Sequence, residues 1–288
     1  MRAAVAGVGI WSGELCHGDQ AEAAEAAAEL EDLGFTALWI PDQGGRVFDA
    51  ADRLLAATHR IVVATGVLSL WRHSPADAAG GFASLSAAYG GRFLLGVGAS
   101  HAESVNAVDP GRYRRPLAAM GDYLDALDAA QPAVPVEGRV LAALGPKMIE
   151  MASTRARGLH SYLVTPEHTG RAREAAGRAA LIAPEQTVIL CSGAEEAQAI
   201  GTAWVRRYLQ AKNYATSMLR LGFTPEDLSS VSRRLFDALI AWGDEEAIRR
   251  RVTEHRAAGA DHVAIQVLSP HQGAFPREQW RRLAAALA

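Results

Sequence analysis

AAVAGVGIWSG, residues 3–13, opens the chain with a short apolar run that ends on two glycines one residue apart. A strand running into G-x-G points to a dinucleotide-binding sheet, where a third glycine three positions on lets the backbone approach a pyrophosphate. Here Gly7 and Gly9 are followed by Ile10, Trp11 and Ser12. The fingerprint is incomplete, and an open doubly wound sheet loses its main support. What remains is a strand whose unit repeats along the chain.

The repeat is a short apolar or β-branched run, a turn, then an amphipathic helix. After a first strand at Ala3–Val8, Gln20–Leu33 puts alanines and leucines inward and Glu22, Glu25, Glu29 and Asp32 outward, with Gly34 as its stop. Strands follow at Ala37–Ile40, Ile61–Thr65, Phe93–Val97, Val140–Ala143, Tyr162–Val164, Thr187–Cys191 and His262–Val267. Helices are read near Ala50–Thr58 and over Ala76–Tyr89, Pro116–Ala129, Lys147–Ala156, Pro166–Ala179 and Asp244–Ala258, the last taken as the final helix of the chain and capped by Asp244. Helical stretches at Ala194–Leu221 and Ser230–Ala241 are too long for one crossover and read as an insertion, about residues 194–242, between strands seven and eight. Eight strands alternating with helices predict an α/β fold, a (β/α)8 TIM barrel forming one domain over residues 1–288.

Composition agrees. A chain of 288 residues, 49% hydrophobic and 21% charged, supplies a large core. A net charge of −3 gives no broad basic surface, which argues against nucleic acid as a partner. Cys16 and Cys191 lie too far apart in sequence for a metal spacing, and the nine histidines form no HxH or HExxH set, so no metal site is expected. No window reaches about 18 apolar residues and no leader is evident, so no membrane span and a cytoplasmic location are expected.

Barrel chemistry sits at the C-terminal strand ends. Those ends carry Trp11 and Glu14; Asp42; Gly66, Val67 and Ser69; Gly98, Ser100 and His101; Leu144, Gly145, Pro146, Lys147 and Met148; and Thr165. In LLGVGASHAES, residues 94–104, the G-x-S-x-G of a nucleophile elbow fails because Ala102 holds the last glycine position. The stretch reads either as a strand end that lets a flat ligand approach beneath His101, or as a loop histidine beside a surface serine. Asp42 after Pro41 is a turn residue or a carboxylate at the barrel mouth. Gly145-Pro146-Lys147 and Thr165-Pro166 open two successive helices, either as ordinary caps or as neighbouring phosphate cradles. Lys147 is one of only two lysines, Lys212 the other. Arg112, Arg114 and Arg115 around Tyr113 read as a solvated loop or a contact for an anionic tail.

LGFTALWIPDQ (33–43), IVVATGVLSLWRHSP (61–75), GRFLLGVGASH (91–101), RVLAALGPKMIEMA (139–152), DALIAWGDEEAI (237–248) and AGADHVAIQVL (258–268) together resemble the luciferase-like monooxygenase superfamily, and within it an actinobacterial branch of coenzyme F420-dependent oxidoreductases. The resemblance implies a TIM-like barrel with a flavin or deazaflavin at its mouth and a non-prolyl cis peptide in a bulge of the third strand, which falls at Gly66-Val67. It implies that Asp42 lies beside the ring, that Gly98, Ser100 and Ser69 border it, and that Leu144 to Met148 with Thr165 hold the phosphate. Two positions depart from the pattern. Gln43 stands where relatives often have histidine, and Ser100-His101 where sugar-phosphate-oxidising relatives carry a glutamate, so that substrate is not carried over.

The expected activity is hydride transfer between the C5 atom of F420 and a small organic substrate. His101 is expected to move the proton, Asp42 and Glu14 to assist, and Trp11, Trp71 and Arg72 to line the substrate pocket. The runner-up is an FMN-dependent monooxygenase on the same barrel, and a non-catalytic flavin- or deazaflavin-binding protein is the reading from another class. A phosphosugar isomerase or aldolase fits the barrel, but Lys147 at a helix start is poorly placed for a Schiff base. Family habit suggests a homodimer.

Overall fold

Ala37 and Trp39 face one side of the second strand and Leu38 and Ile40 the other, and all four are buried. A strand covered on both faces is what a parallel sheet lined by helices requires. The structure is a computed structural model, and it describes residues 5–42, 46–270 and 273–287. From the amino end come β1 (Gly7–Trp11), α1 (Glu14–His17), α2 (Gln20–Asp32), β2 (Ala37–Ile40), α3 (Val47–Ala56), β3 (Val62–Thr65), β4 (Leu68–Ser69), α4 (Pro75–Ala88) and β5 (Phe93–Gly98). The middle holds α5 (Ala102–Val108), α6 (Pro116–Ala129), β6 (Arg139–Ala142), α7 (Pro146–Arg155), β7 (Gly158–His160), α8 (Pro166–Ala176), β8 (Leu181–Ile182) and β9 (Glu185–Leu190). The last third holds α9 (Ala194–Leu209), α10 (Lys212–Arg220), α11 (Pro225–Ser230), α12 (Arg233–Leu239), β10 (Ala241–Gly243), α13 (Glu245–Ala257), β11 (His262–Val267) and α14 (Arg277–Leu287).

Every strand pair is parallel, in the order β10-β9-β11-β1-β2-β3-β5-β6-β7-β8, with β4 on β5. The path begins near β9 and ends on β8, which only Ala183 and Pro184 separate in the chain. The amides of Ala183 and Glu185 still bond the carbonyls of Leu159 and Ser161, at 3.0 and 2.7 Å. The curled sheet therefore closes on itself as the expected TIM barrel, with β8 and β9 as one interrupted strand. Trp11, Trp39, Ala64, Leu94, Val140 and Ala264 fill the inside, and a larger core lies between strands and outer helices. The helices between β9 and β10 carry a third cluster around Val205, Met218, Leu235 and Phe236.

Several boundaries differ from expectation. The first strand is Gly7–Trp11; residues 1–4 lie outside the described residues. The sixth is Gly158–His160, before Tyr162, because Gly158 lets the backbone press against Leu181 where a Cβ would overlap it. The seventh begins at Leu181, ahead of Thr187. The insertion is four helices, broken at Gln210-Ala211 and again before Pro225. Asp244 does cap its helix, accepting from the Ala247 amide at 2.8 Å, but α14 follows, held by buried Trp280, Leu283 and Ala284. The helices α1 and α5 were not read from the sequence.

Candidate active site

Four strand ends meet at one bulge. The Gly66-Val67 peptide is cis, as the resemblance implies. Beyond it β4 turns onto β5, pairing Ser69 with Gly98. Val67 lies against the strand: a Cβ on Gly98 would sit 2.5 Å from its Cγ2, and one on Gly96 would fall on the Thr65 carbonyl. These glycines are therefore required by the packed bulge itself. The Thr65 hydroxyl secures the same place, donating to the Gly96 carbonyl and accepting from its amide, both at 2.8 Å.

Asp42 ends the run after β2 and is buried under this bulge. Its Oδ2 accepts from the Ser69 amide at 3.1 Å and lies 3.2 Å from His73 Nε2, while Arg72 donates to its main-chain carbonyl at 3.0 Å. Oδ1 is buried with no partner among the described residues. Gln43 lies outside the described residues. Trp11 donates its indole N–H to the Gly66 carbonyl at 3.0 Å, and Trp71 donates to the Ala99 carbonyl at 2.6 Å. Asp42, Gly66, Val67, Ser69, Arg72, Gly98 and Trp11 are thus one assembly. Glu14 accepts from the Ser12 hydroxyl at 2.6 Å, in the turn after β1.

His101 is held from the insertion. Its Nδ1 lies 2.9 Å from Asn213 Oδ1 on α10, and its ring is 4.9 Å from that of Tyr214. Ser100, just before it, has φ 57°. The Lys212 amide donates to Glu103 at 3.2 Å, so α10 is seated on α5. Tyr208, Tyr214 and Trp204 gather over Tyr162, which also packs on Trp11 with centroids 5.2 Å apart. The insertion covers the mouth.

Between α10 and the start of α7 lies a pocket of about 270 Å³ lined by Tyr113, Leu144, Gly145, Lys212, Asn213 and Arg220. Gly145 caps α7 with no side-chain bond; Pro146 has no N–H and the Met148 amide bonds the Gly145 carbonyl at 3.1 Å, so the Lys147 amide is the one in the first turn open to a ligand among the described residues. A Cβ on Gly145 would lie 3.1 Å from the Arg220 guanidinium. Pro146 and Lys147 form the first turn, whereas Met148 turns away onto the outer core. Thr165 caps α8 by accepting from the His168 amide at 3.2 Å, which uses one lone pair of its hydroxyl and leaves the O–H to donate. His168 joins the two loops through Leu144, its Nε2 lying 3.1 Å from that carbonyl. Of the arginine loop, Arg114 folds back on Gly111 and only Tyr113 reaches the pocket. A larger hollow of about 800 Å³ lies outside the barrel among α1, α3 and α4 and shares no residue with the mouth. On its wall Cys16 is no thiolate: burial, with the charge of Asp42, pushes its thiol up to about 11.

The sequence profile of the luciferase-like monooxygenases matches residues 8–262. The chain belongs to the luciferase-like monooxygenase family. The family fold is plain in solved structures as well. An F420-dependent secondary alcohol dehydrogenase, in complex with an F420-acetone adduct, superposes with a TM-score of 0.73 at 15% identity over 99% of this chain and 100% of that one. The coenzyme F420-dependent tetrahydromethanopterin reductase of Methanopyrus kandleri gives 0.73 at 15% over 99% and 98%. The oxygenating constituent of 3,6-diketocamphane monooxygenase from Pseudomonas putida, in complex with FMN, gives 0.68 at 13% over 98% and 96%. No curated protein matches by sequence. Family members of both cofactor types therefore share this barrel, and at these identities the likeness is one of fold.

Residues that the sequence did not single out complete the luciferase-like mouth: Tyr162, Glu185, Tyr208, Asn213, Tyr214 and Arg220. Arg220 and Asn213 carry no local signal. Glu185, beside Pro184 at the head of an apolar run, was visible as a charged residue entering a strand.

Proposed function

We propose that the protein is a coenzyme F420-dependent oxidoreductase, a reductase or dehydrogenase acting on a small organic molecule. One observation carries the proposal: the start of α7 at Gly145, with the Lys147 amide, opens onto a pocket where Arg220 and Lys212 set two positive charges against the one carboxylate of Glu103. That arrangement suits a ring cofactor with a phosphate and a long carboxylate-bearing tail. When bound, the deazaflavin supplies a hydride carrier at C5.

The residues fit this group at its anionic end, and the bulge supplies the rest. Asp42, fixed through Oδ2, keeps Oδ1 as a free buried acceptor for an N–H at a ring edge. Trp11 and Ser69 hold the bulge on either side of the Gly66-Val67 peptide. His101, with Nδ1 turned to Asn213, keeps Nε2 to hold or give a proton. Glu14 stays with the turn after β1, while Trp71 and Arg72 brace the wall.

FMN is the second reading, because a single phosphate needs only the start of α7 and FMN enzymes share the fold. Separate titrations with F420 and FMN test the choice. Saturable F420 binding is expected, weakened about tenfold by Arg220→Ala and less so at high salt. Tight FMN binding accompanied by oxygen uptake, with no F420 binding, overturns it.

A further inference from the structure

Glu185 begins β9 and is 1% exposed. The next residue, Gln186, faces the outer helices, bonding the Leu239 carbonyl at 2.9 Å and His255 at 3.0 Å. Alternation along the strand therefore turns Glu185 and Thr187 into the barrel. The carboxylate accepts from the Thr187 hydroxyl at 2.5 Å and the Leu163 amide at 3.2 Å. Both bonds suit an anion, yet among the described residues no cation acts on it. Burial accordingly pushes the carboxyl up to about 7, against the pull of those two bonds.

What stands over it is aromatic. Leu163 and Ser161, both bonded to Glu185, flank Tyr162. Tyr162, Tyr208 and Tyr214 all feel the Glu185 charge. Their centroids lie 5.3, 5.8 and 6.2 Å apart, with Trp204 4.6 Å from Tyr208. Tyr162 donates to Gln266 Oε1 at 2.6 Å, so the 3.2 Å contact with Tyr208 is a donation from Tyr208. The other charges keep away: Arg207 is exposed and acts on Tyr208, and His101 touches the group only through Tyr214.

Electron-rich ring faces beside a carboxylate that lacks a counter-ion are the complement of an organic cation. A neutral carbonyl compound would need a donor there, which Glu185 offers only when protonated; ionised, both of its oxygens are acceptors. We propose that Glu185 with Tyr162, Tyr208 and Tyr214 forms the substrate subsite, and that it takes a small organic cation, a protonated amine or iminium. The proposal deepens the oxidoreductase reading, on which its description as a substrate rests.

Benzylammonium and benzyl alcohol, titrated into the full chain and followed by tryptophan fluorescence and calorimetry, test it. The cation is expected to bind about tenfold tighter at about pH 8, with near-equal binding at about pH 5.5, where Glu185 is protonated and benzylammonium remains charged. Glu185→Gln is expected to abolish the preference at the higher pH and to leave the near-equal binding at the lower one. No saturable cation binding, equal binding of the two probes at the higher pH, or a preference that survives E185Q overturns the proposal. If E185Q does not fold, the pH series on the unaltered protein decides. F420 binding, read from the cofactor's own fluorescence, is a separate measurement: its failure removes the oxidoreductase reading and leaves the cation preference standing.

Discussion

The Ser69 amide donates to Asp42 Oδ2 at 3.1 Å, so the carboxylate after β2 is fixed by the strand piece beyond the cis turn. Burial alone would raise that carboxyl. Hydrogen bonds from His73 and Ser69, with the charges of His73 and Arg72, hold it below its ordinary range. A depressed acid contributes stability at all pH above its unfolded value and loses it as pH falls through the folded one. Asp42→Asn is expected to lower the unfolding free energy by about 1–3 kcal/mol at neutral pH. Urea denaturation should show that deficit shrinking toward acid pH.

Gly98→Ala sets a methyl group against Val67 Cγ2 at 2.5 Å and Ala142 Cβ at 3.0 Å. Overpacking of this kind costs about 1–3 kcal/mol. A thermal melt should show the loss, with Gly96→Ala worse because its methyl meets backbone. A melt unchanged in both variants contradicts the packed bulge.

His101→Ala is expected to reduce turnover by about 10²–10⁴-fold if the imidazole moves the proton, while cofactor affinity stays near that of the unaltered protein. Asn213→Ala frees Nδ1 and should shift the pH profile of turnover without abolishing it. Unchanged turnover in His101→Ala removes the histidine from the chemistry.

Four histidines, His160, His168, His255 and His262, are buried, and burial lowers the pKa of each. Burial lowers His160 to about 4, and burial with neighbouring positive charge lowers His255 and His262 to about 3. The unfolded chain takes up these protons first, so stability is full above the ordinary histidine value near 6.5 and falls as pH drops below it toward the folded values. Melting temperatures between neutral pH and about pH 4 should decline. His255→Gln should flatten part of that slope, since His255 bridges Thr169 and Gln186 at 2.9 and 3.0 Å.

Strands two, three and four of the barrel were legible because each is an apolar run buried on both faces, as Ala37–Ile40 and Phe93–Gly98 show. Gly158–His160 was hidden: three residues ending in a histidine resemble the tail of the helix before them, and only the close approach to Leu181 marks them as strand. At the site, Asp42, Gly66, Val67 and Gly145 were readable because strand ends and helix starts leave local marks. The partners of His101 and Tyr162 were not. Asn213 and Tyr208 lie 112 and 46 residues away, and nothing local encodes a meeting set by how an insertion lies across a barrel.

The cluster around Val205, Met218, Leu235 and Phe236 is drawn mostly from the insertion and is rooted in the ring through Ile189 of β9 and Leu163. A cap with most of its apolar interior in its own helices opens as a local unit ahead of the ring, exposing Ile189 and Leu163 as it does. Its amides should then exchange with solvent together and sooner than those of Leu38 or Val263. The chemistry of the ring and the choice of what reaches it would be separable traits, free to diverge by changing one without remaking the other.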